Sequence, residues 1–201
     1  MTRILLVRHG QTDWSVADRF TGSTDVPLNE VGQTHARLPG QRLAHLQPGA
    51  GGGNEGIQAV YSSPLSRAEQ TARAIARELN LPVSVLSGLR EQEFGLWEGM
   101  YRTEIAKQYP KAYADWEQDP VTQAPPVGET GLAVIGRAQA AINEIIEAHS
   151  NQTVVVVAHK TVNRTLICFW LGLPLRQYRQ LVGQDTACLN VIDIFPDGRV
   201  S

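Results

Sequence analysis

Four consecutive valines, Val154 to Val157, constrain this chain more than any other stretch of its 201 residues. Flanked by Thr153 and Ala158, they are β-branched and have no polar alternation, which reads as a strand buried on both faces. Such a strand needs a layer of helices above and below it. Glu129 to about His149 supplies one candidate, with Leu132, Ile135, Ala138, Ile142, Ile145 and Ile146 at helical spacing. A second runs from His159 to about Leu171, with Pro174 beyond. A third covers about 30–46, with Asn29 as its cap and a kink or break at Pro39-Gly40. A fourth covers about 65–79, capped by Ser63 with Pro64 in its first position. Residues 3–7, Ile57–Tyr61, Val83–Leu86 and Ala187–Ile194 read as further strands. Strands that alternate with helices predict an α/β fold, a three-layer α/β/α sandwich around a mainly parallel sheet. The chain 1–201 is expected to be one domain, in which about 100–128 forms a small helical lobe, its helix or helices divided at Pro110.

A net charge of −2 gives no reason to expect nucleic acid or an anionic membrane as a partner. The opening MTRILLVRHG has an apolar run of only four residues, too short for a signal peptide, and nowhere do 18 apolar residues run together. Cys168 and Cys188 lie in apolar surroundings and read as reduced core residues. The expectation is a cytoplasmic protein, with a homodimer left open. The glycine-rich stretch 48–56 lacks the Lys-Ser/Thr ending of a phosphate-cradling loop and reads as a flexible surface connection. Residues 9–27 show no clean period, and a loop of that length in a compact domain is usually functional.

The chemistry is placed at strand ends. Val7-Arg8-His9 and Val157-Ala158-His159 each set a histidine just past a buried strand, and Ser62 to Arg67 sets an arginine past a third. If those strands are parallel neighbours, Arg8, His9, Arg67 and His159 meet at one sheet edge, where open α/β sheets bind ligands. Two guanidiniums and two imidazoles describe a pocket for a dianion, most naturally phosphate. Helix N-termini after 63 and 159 would add N–H groups. Binding alone needs only the arginines. A neutral imidazole can also attack phosphorus, and neighbouring cations favour its neutral form. A second histidine can donate to the equatorial oxygens. An acid in the 88–99 segment can protonate the leaving alcohol, and Glu91 is the choice over Glu93 and Glu98, with its pKa expected to be raised by desolvation and a bound dianion. A metal held by His9, His159 and Glu91 would be repelled by both arginines, so no metal or cofactor is expected. Phe94, Trp97, Tyr113 and Trp116 read either as a substrate lobe or as packing, while His35, His45 and His149 read as surface residues.

Five blocks carry a resemblance. They are Leu6-Val7-Arg8-His9-Gly10; Arg19-Phe20-Thr21-Gly22; Ser63-Pro64-Leu65-Ser66-Arg67-Ala68 with Gln70-Thr71-Ala72; Leu89 and Glu91 with Phe94-Gly95, Trp97, Glu98 and Gly99; and Ala158-His159. In this order, over about 4–195, the chain resembles the histidine phosphatase superfamily, in the branch of cofactor-dependent phosphoglycerate mutases. The resemblance implies the phosphoglycerate mutase-like fold and a phosphohistidine intermediate on His9. It implies a phosphoryl group held by Arg8, Arg67 and His159, a proton from Glu91, no metal, and substrate contact near Thr21 and Gly22.

Departures from that pattern favour a phosphatase over a mutase. Only about 60 residues separate Gly99 from His159, without the mutases' longer insertion. Gln92 and Phe94 stand where mutases carry an arginine and a tyrosine that hold a carboxylate. Ser15 replaces the usual asparagine, and Lys160 the usual glycine. Ser15, Lys160 and Thr186, in a closing segment 183–188, are candidate substrate contacts. The reading is a metal-independent phosphatase of a small phosphomonoester; a cofactor-dependent mutase and a non-catalytic phosphate-binding regulatory protein are the alternatives. Phosphoserine, α-ribazole phosphate, a phosphoglycerate-type acid and sugar phosphates all fit its reactive half.

Overall fold

The structure is a computed structural model that describes residues 1–44 and 56–201. Five strands form one sheet: β1 (Thr2–Arg8), β2 (Ile57–Ser62), β3 (Val83–Val85), β4 (Thr153–Ala158) and β5 (Leu189–Ile194), in the order β3-β2-β4-β1-β5. All pairings are parallel except that of β5, which lies antiparallel on the edge beside β1. The valine run is therefore the central strand, and β1 and β2 flank it. Its alternate residues feed two separate cores. Val154, Val156 and Ala158 pack with α6 (Gly131–Ala148) and α7 (Lys160–Trp170). Val155 and Val157 pack with α3 (Ser66–Leu79), whose Ala68, Ala72 and Ile75 lie in the same cluster, along with Leu43 of α2 (Glu30–Ala44). The expected three layers and mainly parallel sheet are borne out.

Several local expectations are corrected. The helix over Pro39-Gly40 is unbroken through Ala44. Both residues are buried, and a Cβ on Gly40 would come within 2.9 Å of the Ile75 Cα, so this is where α2 lies close against α3. Packing there outweighs the local cost of proline. The fourth helix starts at Ser66, leaving Pro64 outside it, and Ser63 does not cap it. The first free N–H, that of Ser66, is met instead by Asp25 Oδ1 at 2.7 Å, from a loop 41 residues away. Within the 9–27 stretch lies a single turn, α1 (Asp13–Val16), closed by reciprocal Thr12 and Ser15 capping bonds. Four residues carry no readable period.

The expected lobe region contains α4 (Arg102–Gln108) and α5 (Pro110–Gln118), with Pro110 in the first turn of α5. Helix α6 begins at Gly131 behind the Thr130 cap, and Leu132 on it is 59% exposed, not part of the apolar stripe. A short α8 (Tyr178–Leu181) was not expected. His149 is not a free surface residue, for its ring bonds Tyr61 and Gln152. Most of the glycine-rich stretch and His45 lie outside the described residues. Both cysteines are free thiols, and no described helix is long and apolar enough to cross a membrane.

Ile142, fully buried between α6 and the sheet, tests this layering. Ile142→Ala is expected to destabilise by about 2–5 kcal/mol, read from the denaturant midpoint. Val191→Ala, at a site 52% exposed on the edge strand, should stay within about 0.5 kcal/mol.

Candidate active site

Because β2, β4 and β1 are parallel neighbours, their carboxyl ends deliver Arg67, His159 and Arg8-His9 to one place. The two imidazole rings lie 5.1 Å apart, centroid to centroid. His9 Nδ1 sits 2.7 Å from the Gly10 carbonyl. A carbonyl only accepts, so Nδ1 donates and the lone pair stays on Nε2. Burial, then Arg67 and Arg8, hold the His9 pKa well below its ordinary 6.5. Burial and Arg67 do the same to His159.

Ser63 explains the second ring. Its Oγ accepts the Leu65 N–H at 3.3 Å and lies 2.7 Å from His159 Nε2, to which its hydroxyl can donate. That places a proton on His159 Nδ1, which is buried without a partner. Arg67 gives its terminal nitrogens to the Thr24 and Gly22 carbonyls at 2.9 and 2.7 Å, and Arg8 gives one to the Gln184 carbonyl at 2.6 Å. Their Nε atoms are also buried and unpartnered. Buried donors normally have acceptors, and three lacking them in one cluster call for an acceptor-rich anion.

The surrounding loops hold this geometry. Gly22 has φ +56°, and a Cβ there would sit 2.1 Å from Glu98 Oε1. Glu98 in turn accepts the backbone N–H groups of Ser23, Thr24 and Phe94, which fixes the loop carbonyls that grip Arg67. Glu93 is spent on Arg90 at the surface. Glu91 is buried against the cavity, its oxygens accepting from Gln92 N at 2.9 Å and Thr161 N at 3.2 Å. Arg137 clamps the Glu91 segment from behind. It bonds the carbonyls of Gly88, Arg90 and Glu91 and pairs with Glu129 at 2.7 Å.

Arg8, His9, Ser15, Thr21, Gly22, Arg67, Glu91 and Lys160 all line one cavity of about 750 Å³, including its open mouth. The Ser15 hydroxyl is already engaged with the Thr12 backbone. Thr186 is half-buried and does not line the cavity, and neither does the fully buried His159, which lies behind His9; of the 183–188 segment it is the Gln184 carbonyl that reaches the site. Arg102, Arg164, Arg179 and Tyr178 also line it and were not foreseen. Arg164 stands one helical turn from Lys160, a readable signal. Arg102 and Arg179 come from separate elements, and only folding brings them in. Among the described residues no group of three or more His, Cys, Asp or Glu side chains could hold a metal.

Residues 4–201 match the family model of the histidine phosphatase superfamily, branch 1. The chain is 33% identical over 192 residues to phosphoserine phosphatase 1 of Hydrogenobacter thermophilus, covering 96% of this chain and 86% of that protein. It is 32% identical to the glucosyl-3-phosphoglycerate phosphatase of Mycolicibacterium vanbaalenii, over 92% of this chain and 81% of that one. The chain belongs to the histidine phosphatase superfamily. A mycobacterial glucosyl-3-phosphoglycerate phosphatase solved with VO3 superposes with TM-score 0.85 at 28% identity, covering 99% of this chain and 96% of that chain. This chain also spans 52% of a longer bifunctional protein of Mycobacterium tuberculosis, with 36% identity.

As a histidine phosphatase superfamily member the chain follows its phosphatases, and the expectation of an enzyme acting on phosphate esters is borne out. Its two departures from the mutase pattern have structural consequences. Gln92 is fully buried and donates Nε2 to the Glu129 carbonyl at 2.7 Å. Phe94 stacks edge-on against Phe20 at 4.9 Å and packs on Trp116, joining the loop to α5. Neither can hold a substrate carboxylate by charge. Of the four aromatic residues weighed between lobe and packing, Phe94 and Trp116 line the cavity, whereas Trp97 and Tyr113 pack behind them.

Below about pH 6.5 the unfolded chain takes up protons that the folded His9 and His159 refuse, so stability falls on acidification. The melting temperature should drop between about pH 7.5 and about pH 5.5. The drop should be shallower in the double variant His9→Asn, His159→Asn. An equally steep drop in that variant would contradict the assignment.

Proposed function

We propose that this protein hydrolyses a small phosphomonoester without a metal, through a phosphohistidine formed on His9. One observation carries the reading. The ring that donates Nδ1–H to the Gly10 carbonyl presents an unprotonated Nε2 to a cavity shared with Arg8 and Arg67, and it is held neutral by the same cations that would bind the phosphoryl group. Nε2 attacks phosphorus in line with the ester oxygen. As the N–P bond forms and the P–O bond breaks, charge spreads over the equatorial oxygens. The free Nε–H groups of Arg8 and Arg67 and Nδ1–H of His159 meet it there.

Glu91 gives its proton to the departing alkoxide, and an alcohol leaves. A water then attacks the phosphohistidine, passing a proton back to Glu91, and inorganic phosphate is released with His9 restored. Arg8, Thr21, Gly22, Arg67 and His159 bind the phosphoryl end. Ser15 and Lys160 lie further along the wall, and Thr186 lies in the segment that carries Gln184. Helices α4 and α5 act as a small lobe over the site, giving Arg102 and Trp116 to its far side. Free cysteines support a cytoplasmic setting. Every residue used belongs to one chain, so the proposal holds for a monomer or a homodimer.

His9→Ala is expected to abolish turnover of p-nitrophenyl phosphate in the presence of chelator, and to lose the acid-labile phosphoenzyme trapped from wild type. Turnover by His9→Ala, or loss of wild-type activity to the chelator, would refute the mechanism. Glu91→Gln should lower kcat by about 10²–10⁴ on alkyl phosphates. The loss should be smaller on p-nitrophenyl phosphate, whose leaving group needs little protonation. Equal losses on both would remove Glu91 from the proton-donor role.

A further inference from the structure

The cavity carries more positive charge than a phosphoryl group needs. Arg8 and Arg67 serve that group, yet Lys160 and Arg164 stand on the same wall one turn apart on α7. Like charges at this spacing repel. Lys160 also occupies the first turn of α7, where the helix dipole disfavours a cation. Other cations of the cavity are compensated. Arg102 and Arg179 share Glu117, and Arg19 bonds the Gly99 carbonyl and stacks on Tyr101. Arg164 gives Nε to the Val182 carbonyl and has no carboxylate, while Lys160 has neither hydrogen bond nor ion pair among the described residues.

Among the described residues no acid on the wall pairs with either; Asp18 and Glu91 act on them only at longer range. Asp18 lies with Arg102, and the Glu91 oxygens are taken by backbone N–H groups. Burial presses on both cations, with Arg8 and Arg164 acting further on Lys160 and Arg179 and Arg102 on Arg164, so the arrangement costs folding energy that Asp18, Tyr178 and Glu91 offset only in part. A cost of this kind concentrated at a cavity points to a ligand.

We infer that Lys160 and Arg164 form a subsite for a second anionic group on the substrate, a carboxylate or a second phosphate close to the ester. The inference rests on the phosphatase reading and narrows its substrate class. It also gives a role to Lys160, which stands where the family commonly has glycine, and replaces the carboxylate contact that Gln92 and Phe94 cannot make. The subsite lies beside the second histidine and not on the acidic loop.

Two matched pairs separate the two sources of charge. Glycerol 3-phosphate and 3-phosphoglycerate differ by a carboxylate; fructose 6-phosphate and fructose 1,6-bisphosphate differ by a phosphate. Wild-type kcat/KM should favour the more anionic member of at least one pair by about tenfold or more, the worth of a hydrogen bond between charged groups. The double variant Lys160→Met, Arg164→Met should bring that ratio to within about threefold, and Lys160→Arg should keep it. A wild-type ratio near one for both pairs, or a ratio unchanged in the double variant, would overturn the inference. If neither these esters nor p-nitrophenyl phosphate are hydrolysed, the phosphatase reading fails by itself. The subsite is then judged by calorimetric Kd for the same pairs: equal affinities refute it, and tighter binding of the more anionic member that is lost in the double variant upholds it.

Discussion

Burial of the β4 valine run on both faces is the constraint from which the rest of the structure follows. A strand with no solvent face must be central, must be covered by helices on both sides, and must have neighbours on each edge. Here those neighbours are β1 and β2, both parallel to it. Three parallel strands end at the same level, so the residues that follow them are gathered without any long connection. The site exists because the sheet is parallel. The one antiparallel strand, β5, is at the edge beside β1 and contributes no side chain to the cavity.

Around that frame, the polar groups of the site are held by backbone atoms more than by one another. The Gly10 carbonyl sets the His9 tautomer, the Gly22 and Thr24 carbonyls aim Arg67, and the Gln184 carbonyl aims Arg8. Glu91 is positioned by two N–H groups and by Arg137 behind its loop. Backbone partners have no side-chain rotamers to lose, so the cavity groups are ordered before any ligand arrives. Preorganisation of this sort is what electrostatic stabilisation of a transition state requires. The buried cations also make a protonated imidazole unfavourable, so the arginines that could bind an anion also keep both rings neutral.

Much of this was legible from residues alone. Arg8, His9, Arg67 and His159 are readable because each follows an apolar run within a few residues, and strand ends are where such sheets place chemistry. Ser63 is legible as a polar residue before a helix, but the helix starts three residues later and the hydroxyl reaches His159, a partner 96 residues away that local sequence does not reveal. Pro39-Gly40 misled for a related reason: a helix breaker is a local property, and its close packing on α3 is not. In the closing segment 183–188 the contact is made not by the Thr186 side chain but by the Gln184 backbone carbonyl, which no sequence distinguishes.

By itself the sequence determined the layers, the central strand, the family and which histidines and arginines gather at the sheet edge. Those depend on periodicity and on short offsets from strand ends, which survive in one dimension. The tertiary structure decided what surrounds that group. Arg102 from α4, Arg164 from α7 and Arg179 from α8 share a wall only because helices distant in sequence pack around one opening. Which of those charges are paired, as Arg102 and Arg179 are with Glu117, is a property of side-chain distances. The histidine and arginine end of the cavity is therefore written in motifs, and the wall that carries Arg102, Arg164 and Arg179 is written in packing.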